Sequence, residues 1–135
     1  MSEPHPRPPD DSWEYHLTLP HHVLGPGVAR STVRSILTRH SLPGLVDTTE
    51  LLTSELCGNA YRYAAGPATV RVQWGNGTLR VSVCDESDVL PRPTSSGATL
   101  EGGRGLLLVN QCAQAWGSRA AAIGTGKVTW FELHG

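Results

Sequence analysis

The run Leu51-Leu-Thr-Ser-Glu55-Leu-Cys-Gly-Asn59-Ala-Tyr-Arg62-Tyr-Ala64, near the middle of a 135-residue chain, decides how the rest is read. Asp47 followed three residues later by Glu50 has capping-box spacing, in which each side chain reaches the other residue's backbone N–H. A helix is therefore expected from there to about Ala64, ahead of Gly66 and Pro67. Glu55 and Asn59 are four apart and share one helical face, and Arg62 is the next polar residue a turn further on. Magnesium takes oxygen ligands in octahedral geometry and keeps several waters. An amide oxygen beside a carboxylate suits it when nucleotide phosphates supply the remaining ligands, which leaves the carboxylate to act as a base. The same spacing also describes a solvated polar face with an ordinary Glu-to-Asn hydrogen bond. Gly58 costs a helix interior about 1 kcal/mol relative to Ala, which suggests that something approaches the backbone there.

Upstream, Ala29, Val33, Ile36 and Leu37 recur at helical spacing after Pro26 and Gly27, giving an amphipathic helix to about His40 that stops at Pro43-Gly44. Trp13, Tyr15, Leu17 and Leu19 alternate with Glu14, His16 and Thr18 as in a half-buried strand ended by Pro20. Met1 to Ser12, rich in proline and nearly without apolar side chains, is expected to be a disordered tail before a domain at 13–135.

Downstream, Val70, Val72 and Trp74, then Asn76-Gly77, then Leu79, Val81 and Val83 have the pattern of a tight hairpin. Asp85 closes its second strand. A carboxylate there could accept a hydrogen bond from an exocyclic amine such as that of adenine, or could simply terminate the strand. Glu86 to Gly102 is rich in Ser, Pro and Gly and lacks periodicity, as in a lid, a binding loop or a disordered insert. Gly102-Gly103-Arg104-Gly105-Leu106 then precedes a helical run to about Gln114. Glycines expose backbone N–H groups, a helix N-terminus favours anions and Arg104 can fork onto phosphate, although a flexible loop stop has the same composition. Two last strands are expected at Ala115–Ala121 and Lys127–Leu133, the latter with Val128, Trp130 and, after Phe131, Leu133 as its apolar positions. The element order gives an α+β, two-layer sandwich: one mostly antiparallel sheet with three helices on one face.

Ten arginines and a single lysine, Lys127, exclude a phosphate loop of the G-x-x-x-x-G-K-[ST] type. Lys127 precedes Val128, and Ala121 stands where the first glycine is required. A net charge of −1, without runs of like charge, argues against nucleic acid as a partner. No apolar run approaches the ~20 residues that span a bilayer and none resembles an export signal, so a cytoplasmic protein is expected. Cys57, Cys84 and Cys112 lack C-x-x-C spacing and are expected to be small buried apolar residues; the histidines show no zinc pattern.

In order, the segments 51–64, Val81-Ser-Val-Cys-Asp85, Pro91-Arg-Pro93, Gly102–Val109 and Gly126–Leu133 resemble the Bergerat-fold ATP-binding family of histidine kinases, Hsp90-class ATPases and anti-sigma-factor serine kinases. The resemblance is closest to the last group, in its small actinobacterial single-domain form. It implies ATP and Mg2+ as cofactors, with Asn59 on the metal, Glu55 as the base and Asp85 on the adenine amine. It also implies that Gly103, Arg104, Gly105 and Leu106 line the phosphates and the lid hinge, with Arg62 a further nucleotide-binding candidate. The implied activity is that of a serine/threonine protein kinase and anti-sigma factor. Its partners would be an anti-anti-sigma protein of the STAS type and a sigma factor, and it would act in transcription regulation. The alternative is a non-catalytic module that sequesters one of these partners; the Trp13–Leu19 strand is a candidate homodimer contact. Three positions depart from the family pattern. Asp85-Glu-Ser-Asp-Val89 lacks the usual glycines, Tyr63 follows Arg62 in place of His, and Lys127 opens the last strand where a small Thr is common.

Overall fold

In the computed structural model, residues 12–87, 108–121 and 126–135 are described. Strand β1 (Trp13–Leu19) is followed by helix α1 (Gly25–Arg39), a single 3-10 turn (Pro43–Leu45) and helix α2 (Val46–Tyr63). Strands β2 (Ala68–Gly75) and β3 (Thr78–Asp85) come next. Residues 108–112 are helical, and β4 (Ala115–Ala120) and β5 (Lys127–His134) complete the order. The five strands form one sheet in the order β1-β2-β3-β5-β4, and every neighbouring pair is antiparallel. The expected α+β architecture is therefore present. The expected tail lies, except for Ser12, outside the described residues, as does 88–107.

The β2–β3 connection follows from two residues. Asn76 and Gly77 have φ of 53° and 74°, and two consecutive positive values give the turn whose twist matches the flanking strands. The register then alternates cleanly. Leu79, Val81 and Val83 pair with Trp74, Val72 and Val70, and the aliphatic members of this set are buried on the helix-covered face. Against them pack Ala29, Val33, Ile36 and Leu37 of α1, Leu52, Leu56, Cys57 and Ala60 of α2, and Val109. Each fully buried Leu or Phe contributes roughly 1.5–3 kcal/mol, which offsets the cost of ordering α1 and α2 around it. The opposite sheet face carries Glu14, Arg71, Arg80, Cys84 and Glu132, held by Glu14–Arg71 and Arg80–Glu132 ion pairs.

Several expectations need correction. The Asp47–Glu50 capping box does not form: the N-cap of α2 is Leu45, with no side-chain cap hydrogen bond. The 3-10 turn runs straight into the helix, and both carboxylates turn to Arg34 on α1 instead. Helix α1 starts at Gly25 and holds Pro26 within its first turn, where a missing N–H breaks no helical bond. His21 and His22 lie in the connection between β1 and α1, where His21 Nε2 is 2.9 Å from the Tyr61 carbonyl and His22 Nδ1 accepts from the Leu24 N–H. Of the cysteines only Cys57 is buried, and burial pushes its thiol up to about 12, so it stays protonated. Cys84 and Cys112 are exposed, because the first falls on the outer face of β3 and the second on the outer side of its helical turn. In β5 the buried positions are Lys127, Thr129, Phe131 and Leu133, one residue out of phase with the expected Val128 and Trp130.

Candidate functional site

Asp85 ends β3 and Lys127 opens β5, and the antiparallel register sets them directly opposite each other. Both continue the helix-facing alternation of their strands, so a carboxylate and an ammonium are carried into the core side of the sheet. The Lys127 Nζ donates to Asp85 Oδ1 at 2.9 Å and to Oδ2 at 2.8 Å, and the two side chains are 5% and 4% exposed. The Ser87 backbone N–H donates to the same Oδ1 at 2.8 Å. Buried charges persist only when paired and hydrogen-bonded in this way. The approach to β5 is equally constrained. Gly126 has φ of 112°, and a Cβ there would lie 2.3 Å from the Asp85 carbonyl oxygen, so glycine is required.

Helix α2 supplies the facing wall. Leu56 and Asn59 join Val83, Asp85, Lys127 and Thr129 around a cavity of about 10 Å³, the lower limit for one water. Thr129 Oγ1 lies 2.9 Å from Ser118 Oγ of β4, which ties the edge strand to the site. Asn59 is buried, and its Oδ1 accepts a 2.7 Å hydrogen bond from Arg62 Nη2. Arg62 is exposed, and its guanidinium lies 5.9 Å from the Tyr63 ring centroid.

Two segments far apart in the chain, that of Asn59 and that of Asp85, therefore meet at one cavity. Glu55 is half-buried one turn earlier on α2 and does not line the cavity, and Arg62 reaches the site only through Asn59. Gly103, Arg104, Gly105 and Leu106 lie outside the described residues. Lys127 is the site residue whose partner sequence reasoning missed. The signal was available, since a charge in phase with Thr129, Phe131 and Leu133 is carried to the core and needs a buried counter-charge. Asp85 sits in the same phase of β3.

Magnesium is tested against this site through Asn59. Asn59 lines the cavity, its amide oxygen is a hard ligand, and the cation now engaging that oxygen is an exposed, releasable guanidinium. Asn59 fits as a single protein ligand, with phosphate oxygens and waters making up the remaining positions. Among the described residues no cluster of three or more His, Cys, Asp or Glu forms a metal cage.

The family model of the histidine kinase-like ATPase domain matches residues 26–131. That span runs from the start of α1 into β5, and the chain belongs to this family. It is an ATP-binding, kinase-like ATPase domain. No curated protein matches the chain. Among the described residues no helix is long and apolar enough to cross a membrane.

Proposed function

We propose that the chain is an ATP-dependent serine/threonine protein kinase and anti-sigma factor, whose substrate is a serine on a STAS-type anti-anti-sigma protein. The observation that carries this is the meeting of Asn59 on α2 with Asp85 on β3 at one cavity. The two are the members of the family pattern assigned to metal and adenine. In this reading Asp85 accepts from the base, and Asn59 holds the Mg2+ that neutralises the triphosphate charge. Glu55, one turn from Asn59 and open to solvent on one side, accepts the proton of the attacking serine hydroxyl. Gly103, Arg104, Gly105 and Leu106, outside the described residues, cradle the phosphates. Phosphoryl transfer asks mostly for positioning and charge stabilisation, so no lysine on the phosphates is required.

The experiment is transfer of the γ-phosphoryl group from Mg-ATP to STAS-type partners, with Glu55→Ala as control. Phosphoserine on the partner, lost in Glu55→Ala, is the expected result. An unmodified partner, or equal labelling by both proteins, overturns the kinase assignment. A second reading, a nucleotide-responsive or degenerate binding module that sequesters a sigma factor, is favoured by Arg62 on Asn59 and Lys127 on Asp85. Both functional side chains already have partners. Partner binding without phosphorylation is its signature.

A further inference from the structure

We propose that Lys127 is itself a base-reading residue: Asp85 and Lys127 form a preassembled acceptor–donor couple that grips two adjacent atoms of the nucleobase edge. This rests on the ATP-binding character of the domain and assigns a role that Asp85 alone does not cover.

The count of valences leads to it. An ammonium has three N–H donors, and because the two oxygens of one carboxylate lie too close together for two diverging N–H groups, Lys127 serves both Asp85 oxygens with one shared N–H. A carboxylate has about four acceptor positions, and three of those on Asp85 are taken, two by Lys127 and one by the Ser87 N–H. Among the described residues, two donors on Nζ and one acceptor position on the carboxylate remain, within a pair only 4–5% exposed. An unused N–H on a buried ammonium is costly, so a polar partner is called for at that point. The cavity is where such a partner would sit. Asp85, Lys127, Asn59 and Thr129 give it a polar side, and Leu56 and Val83 an apolar one. A flat heteroaromatic edge has this division of character.

Adenine presents an amine donor at its 6-position next to the acceptor N1. Asp85 accepts a hydrogen bond from the amine, and a remaining N–H of Lys127 donates to N1. The couple carries no net charge before or after binding, so no buried charge is created when the base arrives. At about 10 Å³ the cavity must widen to admit the ring. The couple need not break, because neither contact to the base uses an atom valence already engaged between Asp85 and Lys127.

The test is calorimetric titration of the full chain with Mg-ATP and with the Mg complex of 1-deaza-ATP, which keeps the 6-amine and replaces N1 by C–H. The wild-type protein is expected to bind the analogue about ten-fold or more weakly, the range of one charge-assisted hydrogen bond. In Lys127→Met the two ligands are expected to bind within about two-fold of each other. Should that variant fail to fold, the double variant Asp85→Asn/Lys127→Met, which leaves no buried charge, takes its place. Equal affinities in the wild-type protein overturn the assignment, as does a wild-type preference that survives removal of Lys127. In both cases ATP binding itself stands. If neither nucleotide binds the wild-type protein, the ATP-binding reading fails and this inference with it.

Discussion

Arg62 Nη2 lies 2.7 Å from Asn59 Oδ1, so the amide oxygen best placed to ligate a metal is held by a neighbouring cation one helical turn away. The holder is exposed and the held group is buried. Removing the amide therefore strands nothing in the core, since Arg62 returns to water.

Asn59→Ala should accordingly keep its fold, with a stability change of less than about 1 kcal/mol, while ATP affinity stops responding to magnesium. Titrations with and without Mg2+, alongside urea denaturation, check both halves. Retained magnesium dependence contradicts the assignment of Asn59.

Gly126→Ala should destabilise the protein by about 1–3 kcal/mol, the usual cost of a strained backbone position. The φ of 112° and the 2.3 Å approach of a new Cβ to the Asp85 carbonyl act together, and the second also displaces the strand end carrying Lys127. Denaturation measures the loss. A weakened ATP affinity should accompany it, whereas Gly44→Ala, where a Cβ meets nothing within 4 Å, should leave affinity unchanged.

Lys127→Met leaves Asp85 charged and buried, and should cost about 3–5 kcal/mol. Adding Asp85→Asn should recover much of that, because a neutral pair no longer carries an uncompensated charge. Chemical denaturation of the three proteins tests this. A single variant as stable as wild type would mean that the pair is not buried as described.

Glu14 should titrate far below an ordinary carboxylate. The Arg71 guanidinium bonded to it, followed by His16, lowers its value from 4.5 to about 2. A depressed folded value means that the ion pair contributes fully above about pH 4.5 and is lost as pH falls toward about 2. At so exposed a site the contribution is under about 1 kcal/mol. Carboxyl NMR shifts across this range should show the low midpoint, and Arg71→Met should bring it back toward 4.5.

The elements most legible in the sequence were those fixed by local physics. Asn76-Gly77 dictates its hairpin through backbone geometry alone, and the apolar spacing of α1 and α2 needs no tertiary information. Misreadings arose where a distant partner decided the outcome. Asp47 and Glu50 have the spacing of a cap, but Arg34 on another helix competes for both carboxylates. The phase of β5 was misjudged because Val128 and Trp130 are apolar, while the core accepts Lys127 and Thr129 once Asp85 and Ser118 supply partners. Trp130 finds its own outer-face partner in Arg80, 4.1 Å from its ring. Glu55, Asn59 and Arg62 stand out by their helical spacing and Asp85 by its place at a strand end, yet which of them share a cavity depends on how α2 packs over β3 and β5.

Strand β1 lies at the sheet edge beside β2, and Glu14 bonds to Arg71 at a sequence separation of 57. Both helices and the turns around them fall within that interval. During synthesis β1 therefore has no mate until α1 and α2 have been made and the β2–β3 hairpin is in reach. Closing so long a loop is entropically slow, and local hairpin and helix pairing can proceed ahead of it. The edge strand β1 is thus made before its neighbours and is among the last to dock, and the nascent chain carries Trp13 and Tyr15 unsheltered until α1 and β2 are in place.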